Sequence, residues 1–268
     1  MIREDYKKEL ELFPHTIKVG EKGTGYTKKI QEWLCLHKYH TKKFWVNVQV
    51  DDWYGNGTAS AVKTFQQING LEETGEVDNQ TWIYLTAPMM RAFKEIIFRN
   101  SESIQERLVA YMAQFVFEHP TELGNANKGP WVRAFMKGKE GDWAAWCNGV
   151  VSTALDHAAS SMGLEMTKFL PWSWSTQESK KNALKDDNSS RFIDRKELKA
   201  SDISVGDLFL VVNAKGTPRH IGVVSGIDGE VFACYEGNTN DEGSREGYEL
   251  CERRRKLLNG NYSLIKLT

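Results

Sequence analysis

Apolar and polar positions follow two rhythms along this chain, and the change of rhythm divides it. In the first part the spacing is helical: Ile30, Trp33 and Leu34 recur at three- and four-residue steps, as do Ala61, Val62 and Phe65. Such steps put side chains on one face of a helix. Between these two segments lies the turn-rich DDWYGNG, and Thr58 behind it is a plausible N-cap for the second helix. The pattern then partly recurs, with Thr74-Gly75 and Val77-Asp78 ahead of a short helix that ends near Leu85, where Pro88 is a reasonable breaker. Two further helical stretches follow at 89–100 and 102–120, the latter carrying Leu108, Met112, Phe115 and Val116 and ended by Pro120. The segment 121–138 is Gly/Asn-rich and reads as a loop framing a cleft.

Past residue 142 one more helix is expected, over 143–155, with Asp142 as its cap and Val150, Val151, Ala154 and Leu155 as its buried stripe. The rhythm then shortens to that of strands: 202–212, a second strand opening at His220, a hairpin signal at Asp228-Gly229, and a returning strand. On that returning strand Phe232, Cys234, Glu236 and Asn238 share one face. The fold class predicted is α+β: a small helical unit over 1–88, a helical connector over 89–128, and a domain over 129–268 in which a helix packs on an antiparallel sheet.

Composition narrows the function classes. With 35 Lys+Arg against 36 Asp+Glu the formal net charge is -1, so neither sign dominates, which argues against a general nucleic-acid or membrane-surface binder. No stretch is apolar enough to span a bilayer. The first residues mix acidic and basic side chains without an apolar run, so no conventional signal peptide is expected and synthesis in the cytoplasm is. Cys35, Cys147, Cys234 and Cys251 are spaced like neither a disulfide scaffold nor a zinc module. His37 and His40 find no matching carboxylate or cysteine arrangement, so neither metal nor cofactor is expected.

The chemistry concentrates in two segments. Cys147 sits at the start of an apolar helical run, where the positive end of the helix dipole favours thiolate and a backbone N–H is available to an oxyanion. His220 supplies an imidazole at a strand lip, where Gly222 opens space, and Glu236 and Asn238 supply a carboxylate or amide to orient that ring. The order Cys, His, Glu/Asn is that of a cysteine hydrolase. The plain alternative for Cys147 is a buried core thiol. Trp143 and Trp146 are expected to wall the nucleophile, and Trp172 and Trp174 to form either a substrate rim or core. Cys234 reads as a small strand residue and Arg253-Arg254-Arg255 as a solvated face.

Two resemblances sharpen these expectations. Gly20, Gly23, Ile30-Gln31, Trp33-Leu34, Asp51, Tyr54-Gly55, Thr58, Ala61-Val62, Phe65-Gln66, Gly70-Leu71, Thr74-Gly75, Val77-Asp78 and Thr81-Trp82 resemble the family of small three-helix peptidoglycan-binding domains over 19–85. The resemblance implies peptidoglycan as partner, with Tyr54 among the contacting residues. The aromatic and basic insertion at 37–49 departs from that pattern and is expected to line the glycan groove or cover the core.

The second half, over 129–266, resembles the CHAP amidase/peptidase family within the NlpC/P60-like, papain-related hydrolases. It does so through WAAWCNGVV, VGDLFLV, HIGVVSGIDG, YEGNTN and GSREGYELCERRRK. That resemblance implies a papain-like domain with Cys147 as nucleophile, His220 as general base then acid, and Glu236 or Asn238 as orienting group. Asn148-Gly149 departs from the relatives' usual aromatic or Ala-Phe, which leaves the shape of the leaving-group side of the pocket open. The function implied is hydrolysis of an amide in the peptide stem, either the muramoyl–L-Ala bond or a D/L peptide bond, in the periplasm or wall of a bacterium. It fits a phage endolysin or an injected antibacterial toxin with a cognate immunity protein or secretion component. A catalytically inactive wall-binding or assembly protein is the alternative.

Overall fold

The computed structural model describes residues 4–40, 48–124, 127–143, 145–185, 190–239, 247–256 and 261–267. Much of the insertion expected at the glycan groove, residues 41–47, lies outside the described residues, as do 144, 240 and 243–246 from the segments that carry the second resemblance. The helices are α1 (Lys7–Leu10), α2 (Tyr26–His40), α3 (Asn56–Ile68), α4 (Asn79–Ala92), α5 (Ile104–Phe117), α6 (Pro130–Phe135), α7 (Cys147–Ser160) and α8 (Thr176–Ala183). The strands are β1 (Ser190–Ile193), β2 (Leu208–Val212), β3 (Pro218–Asp228), β4 (Val231–Thr239), β5 (Glu249–Lys256) and β6 (Tyr262–Leu267). They form one antiparallel sheet in the order β1-β6-β2-β3-β4-β5, with α7 packed on it.

In the N-terminal unit two buried glutamines satisfy the loops between helices. Gln31 on α2 donates to Asp51 Oδ1, the Trp53 carbonyl and Thr58 Oγ1, and accepts from the N–H groups of Asp51 and Asp52. Gln66 on α3 does the same for the next loop, donating to Thr74, Glu76 and Thr81 and accepting from Gly75 N–H. The recurrence visible in the sequence is therefore a repeated way of saturating buried backbone groups, which would otherwise be costly. Thr58 serves this network rather than capping: α3 starts at Asn56 with Gly55 as its N-cap. The cap of α4 is Asp78, whose carboxylate accepts from Thr81 N–H.

Several expected boundaries move. Helix α4 runs through Pro88 to Ala92, because Pro88, Met89 and Ala92 are buried and their packing outweighs one missing N–H. Residues 93–103 are not helical, and Ile97 is almost fully exposed. Helix α5, capped by a Ser103–Glu106 capping box, is no connector: it packs against α7, β3, β4 and β5. The stretch 121–138 holds α6, whose Trp131, Val132 and Phe135 are buried in the core rather than framing a cleft. Helix α7 begins at Cys147 with Trp146 as N-cap, four residues later than expected, and Asp142 lies outside it.

One hydrophobic cluster runs through both halves, from Ile30, Trp33 and Trp82 to Val150, Leu208 and Ile265, and a second, smaller one gathers Phe209, Phe232, Cys234 and Tyr262. An aromatic file marks the crossing. Trp33 meets Trp131 edge-on at 5.9 Å, Trp131 stacks on Phe135 at 6.2 Å, and Phe135 stacks on Trp146 at 5.9 Å. Charge closes the same junction: Arg133 of α6 forms paired hydrogen bonds with Glu9 of α1 and with Glu32 of α2, and a further one with Glu140. His157 of α7 is buried among Tyr6, Phe93, Tyr111 and Phe115. Burial there holds its pKa down at about 4.

Two outcomes are expected. Arg133→Ala leaves the buried carboxylates of Glu9 and Glu32 without their counter-charge, and should cost about 3–5 kcal/mol in urea unfolding. His157, neutral when folded, takes up a proton near pH 6.5 only once unfolded, so stability is complete above pH 6.5 and falls as pH drops toward 4. The loss should reach about 3 kcal/mol, and His157→Leu should flatten that part of the stability profile.

Candidate active site

The first residue of α7 carries the thiol. Cys147 belongs to the turn whose N–H groups have no intrahelical acceptor, and the partial positive charge of the helix end lies beside its sulfur. His220 is the third residue of β3, opposite Val211 across a register shift in β2. Its Nε2 lies 2.7 Å from Glu236 Oε2 on β4. Cys147 lines the same cleft as His220 and is among the groups that raise the ring's pKa. With Nε2 engaged by the carboxylate, Nδ1 is the nitrogen left to face sulfur.

Close backbone approach makes this possible. A Cβ on Gly222 would sit 2.8 Å from Glu236 Cγ and 2.6 Å from Phe209 Cε1, so only glycine lets the carboxylate lie beside β3. A Cβ on Gly237 would sit 2.8 Å from Val150 Cγ2, so glycine also lets β4 close on α7. The space that Gly222 was expected to open is thus filled by Glu236.

Glu236 has no exposed surface, yet it is held as a carboxylate. Arg255 Nε and Nη2 donate to its two oxygens, each at 2.6 Å, and the Cys234 thiol donates to Oε1 at 2.9 Å. Burial alone would push Glu236 up; the hydrogen bonds and charges of Arg255 and His220 overcome it and hold the carboxyl well below its usual range. His220 responds in the opposite sense. Burial would lower it, but Cys147 and Glu236 raise it to about 9, so the ring is a cation at neutral pH. Cys234 stays a neutral donor, its thiol pushed up by burial and by the adjacent Glu236 charge.

Of the four residues expected to act, three meet. Asn238 does not touch the ring: its φ is 54°, its Nδ2 donates to the Gly247 carbonyl at 2.6 Å, and the β4–β5 register shifts between Glu236 and Thr239. The alternation that aligned it with Glu236 ends at that irregularity. Asn238 instead lines the cleft, a space of about 1160 Å³ that also reaches Cys147, His220, Trp143 and Trp174. Trp143 is 62% exposed and meets Trp174 edge-on at 6.3 Å. Trp172 stands half-buried behind Trp174, with Lys137 Nζ 3.8 Å above its ring. Trp146 is not a wall of the cleft; it is fully buried against Phe135.

Other expectations are corrected or refined. Arg255 and Arg253 face the cleft while Arg254 pairs with the exposed Asp228, because the run lies on a strand and alternates. Asn148, beside Cys147, is buried and donates to the Ser173 carbonyl at 2.7 Å, fixing the segment that carries Trp174 rather than shaping a pocket. Tyr54 is no contact residue: it is buried and its hydroxyl donates to the Gly75 carbonyl at 2.8 Å. Its neighbour Trp53 is 58% exposed and lines a groove of about 500 Å³ with Gln31, Asp51 and Val19. His37 Nε2 lies 2.7 Å from the Leu85 carbonyl oxygen. Among the described residues no His/Cys/Asp/Glu group is arranged to hold a metal ion, and no helix is long and apolar enough to cross a membrane.

Comparison with known proteins bears on the N-terminal unit. The family model for the peptidoglycan binding domain matches residues 26–85, which span α2, α3 and the first half of α4. This supports peptidoglycan as a partner and association with the cell wall. No curated protein and no solved structure matches the chain.

The electrostatics of the site make a measurable prediction. The His220 imidazole should titrate by NMR near pH 9, so the cationic ring is lost as pH rises through that value. Glu236→Gln keeps the shape but removes the negative charge, and should move the midpoint down toward 6.5. An unchanged midpoint would show that the carboxylate does not govern the ring.

Proposed function

We propose that this chain is a peptidoglycan hydrolase: a papain-like cysteine amidase or endopeptidase that cuts an amide of the peptide stem, held at the wall by its N-terminal unit. The observation that carries the reading is Cys147 at a helix start, beside a cationic His220 that is held by the buried, Arg255-clamped Glu236. The match to a peptidoglycan binding domain in the same folded body supplies the substrate class.

The proposed reaction runs in two halves. The Cys147 thiolate adds to the amide carbonyl carbon, forming a C–S bond and placing negative charge on the carbonyl oxygen. The Cys147 N–H and the end of α7 stabilise that charge. The C–N bond then breaks as His220 gives its proton to the departing nitrogen, leaving a thioester and a neutral imidazole. Neutral His220 takes a proton from water, the hydroxide adds to the thioester, and the C–S bond breaks to restore thiolate and imidazolium. Glu236 stays ionised throughout and keeps Nε2 occupied. Trp143 and Trp174 offer flat apolar surfaces at the cleft edge for a sugar or peptide. Both lysis by a phage endolysin and injection as an antibacterial toxin use this chemistry; a cognate immunity protein seated on the cleft would assign the latter.

Mass spectrometry of muropeptides tests the reading. Purified sacculi digested by the wild type should yield new amino and carboxyl termini that name the bond. Cys147→Ala should yield none, with activity down by at least about four orders of magnitude, while still sedimenting with sacculi. Digestion by that variant would overturn the mechanism. Sedimentation without digestion by the wild type would leave a wall-binding protein alone.

A further inference from the structure

The cleft is electrically one-sided. Arg195, Arg219, Arg253 and Arg255 line it, and no Asp or Glu does among the described lining residues. The chain as a whole carries 35 Lys+Arg against 36 Asp+Glu, so the imbalance is local. Arg255 is neutralised by Glu236. The Nη2 of Arg195 donates to the Ala214 carbonyl at 2.5 Å. Arg253 differs: its Nη1 donates to Thr239 Oγ1 at 2.9 Å, and among the described residues no carboxylate pairs with it. It shares a strand face with Arg255, two residues away, which is about 7 Å along β5. Arg219 is exposed and immediately precedes His220.

A guanidinium fork with no carboxylate partner among the described residues, on the wall of a cleft, draws a planar anion into paired hydrogen bonds. We infer that the cleft selects substrates bearing a free carboxylate near the cleaved amide, with Arg253 as its receptor and Arg219 as a supporting charge. The ligand class is therefore an acidic peptide. A carboxamide at the same position has the shape but neither the charge nor the second acceptor. This inference takes its substrate class from the hydrolase reading and deepens it.

The test uses the full chain with N-acetylmuramoyl-pentapeptide and analogues in which each carboxylate is capped, one at a time, as a carboxamide. Binding is measured by calorimetry on Cys147→Ala, and cleavage is measured separately on the wild type. Capping one particular carboxylate should weaken binding about tenfold, roughly the loss of one charge-assisted pair. Added salt should shrink that ratio. Arg253→Gln in the Cys147→Ala background should bring acid and amide forms to equal affinity, Arg253→Lys should retain part of the preference, and melting temperatures should confirm folding. Equal affinity of Cys147→Ala for acid and amide, no binding of either, or a preference untouched by both Arg253→Gln and Arg219→Gln would overturn the inference. A strong acid preference without cleavage by the wild type would sink the hydrolase reading and leave this one standing. Cleavage blind to capping would do the reverse.

Discussion

A carboxylate with no access to solvent is tolerated only when its charge is met at close range, and the C-terminal half of this molecule is arranged around one such group. Glu236 lies on β4 under β3, where burial alone would keep it protonated and useless for orienting an imidazole. Its counter-charge comes from the outermost strand. Arg255 stands opposite Phe232 in the β4–β5 register and reaches along the sheet face, past Cys234, to both carboxylate oxygens. A buried pair of this kind contributes little net stability compared with apolar packing, but removing either member is costly. The edge strand is therefore tied to the cleft: without β5 in register, Glu236 lacks its cation and His220 lacks its anchor.

This dependence also explains which parts of the site could be read from sequence. The helix carrying Cys147 near its start, the strand at His220 and the alternation bringing Glu236 into line are local patterns, and each appears in the fold, with the helix beginning four residues later than read. Arg255 could not be found that way. Three consecutive arginines read as a solvated run, and only the pleat of β5, sending Arg254 outward and its neighbours inward, separates them. Asn238 was aligned with Glu236 by the same alternation, but a local irregularity breaks the count, and nothing in EGNT announces it. Adjacent aromatics posed the same problem in the N-terminal unit. Of Trp53 and Tyr54 one must face in and one out, and the buried partner at Gly75 that decides it is 21 residues from Tyr54.

Fold-level expectations failed for a related reason. Pro88 and the Gly/Asn-rich stretch before α6 carry signals for interruption, yet both lie in segments whose apolar residues are buried, and packing overrode local preference. The α+β class and the antiparallel sheet were legible because periodicity reports them directly. The closeness of the two halves was not, because Arg133, Glu9 and Glu32 are more than a hundred residues apart in sequence and meet only when the chain is folded.

That junction has a further consequence. Two modules on a flexible leash can search a volume, and their gain in local concentration follows the length of the leash. Here Trp33, Trp131, Phe135 and Trp146 form an unbroken file of ring contacts from the core of the anchoring unit to the residue before Cys147, and carboxylates from α1 and α2 lock onto α6 beside it. Anchor and blade are a single casting. A protein built this way gains from its anchor only where the mesh beneath it repeats at the offset the casting dictates. Wall geometry itself, the pitch of its strands and the density of its bridges, thereby becomes part of what such a protein recognises.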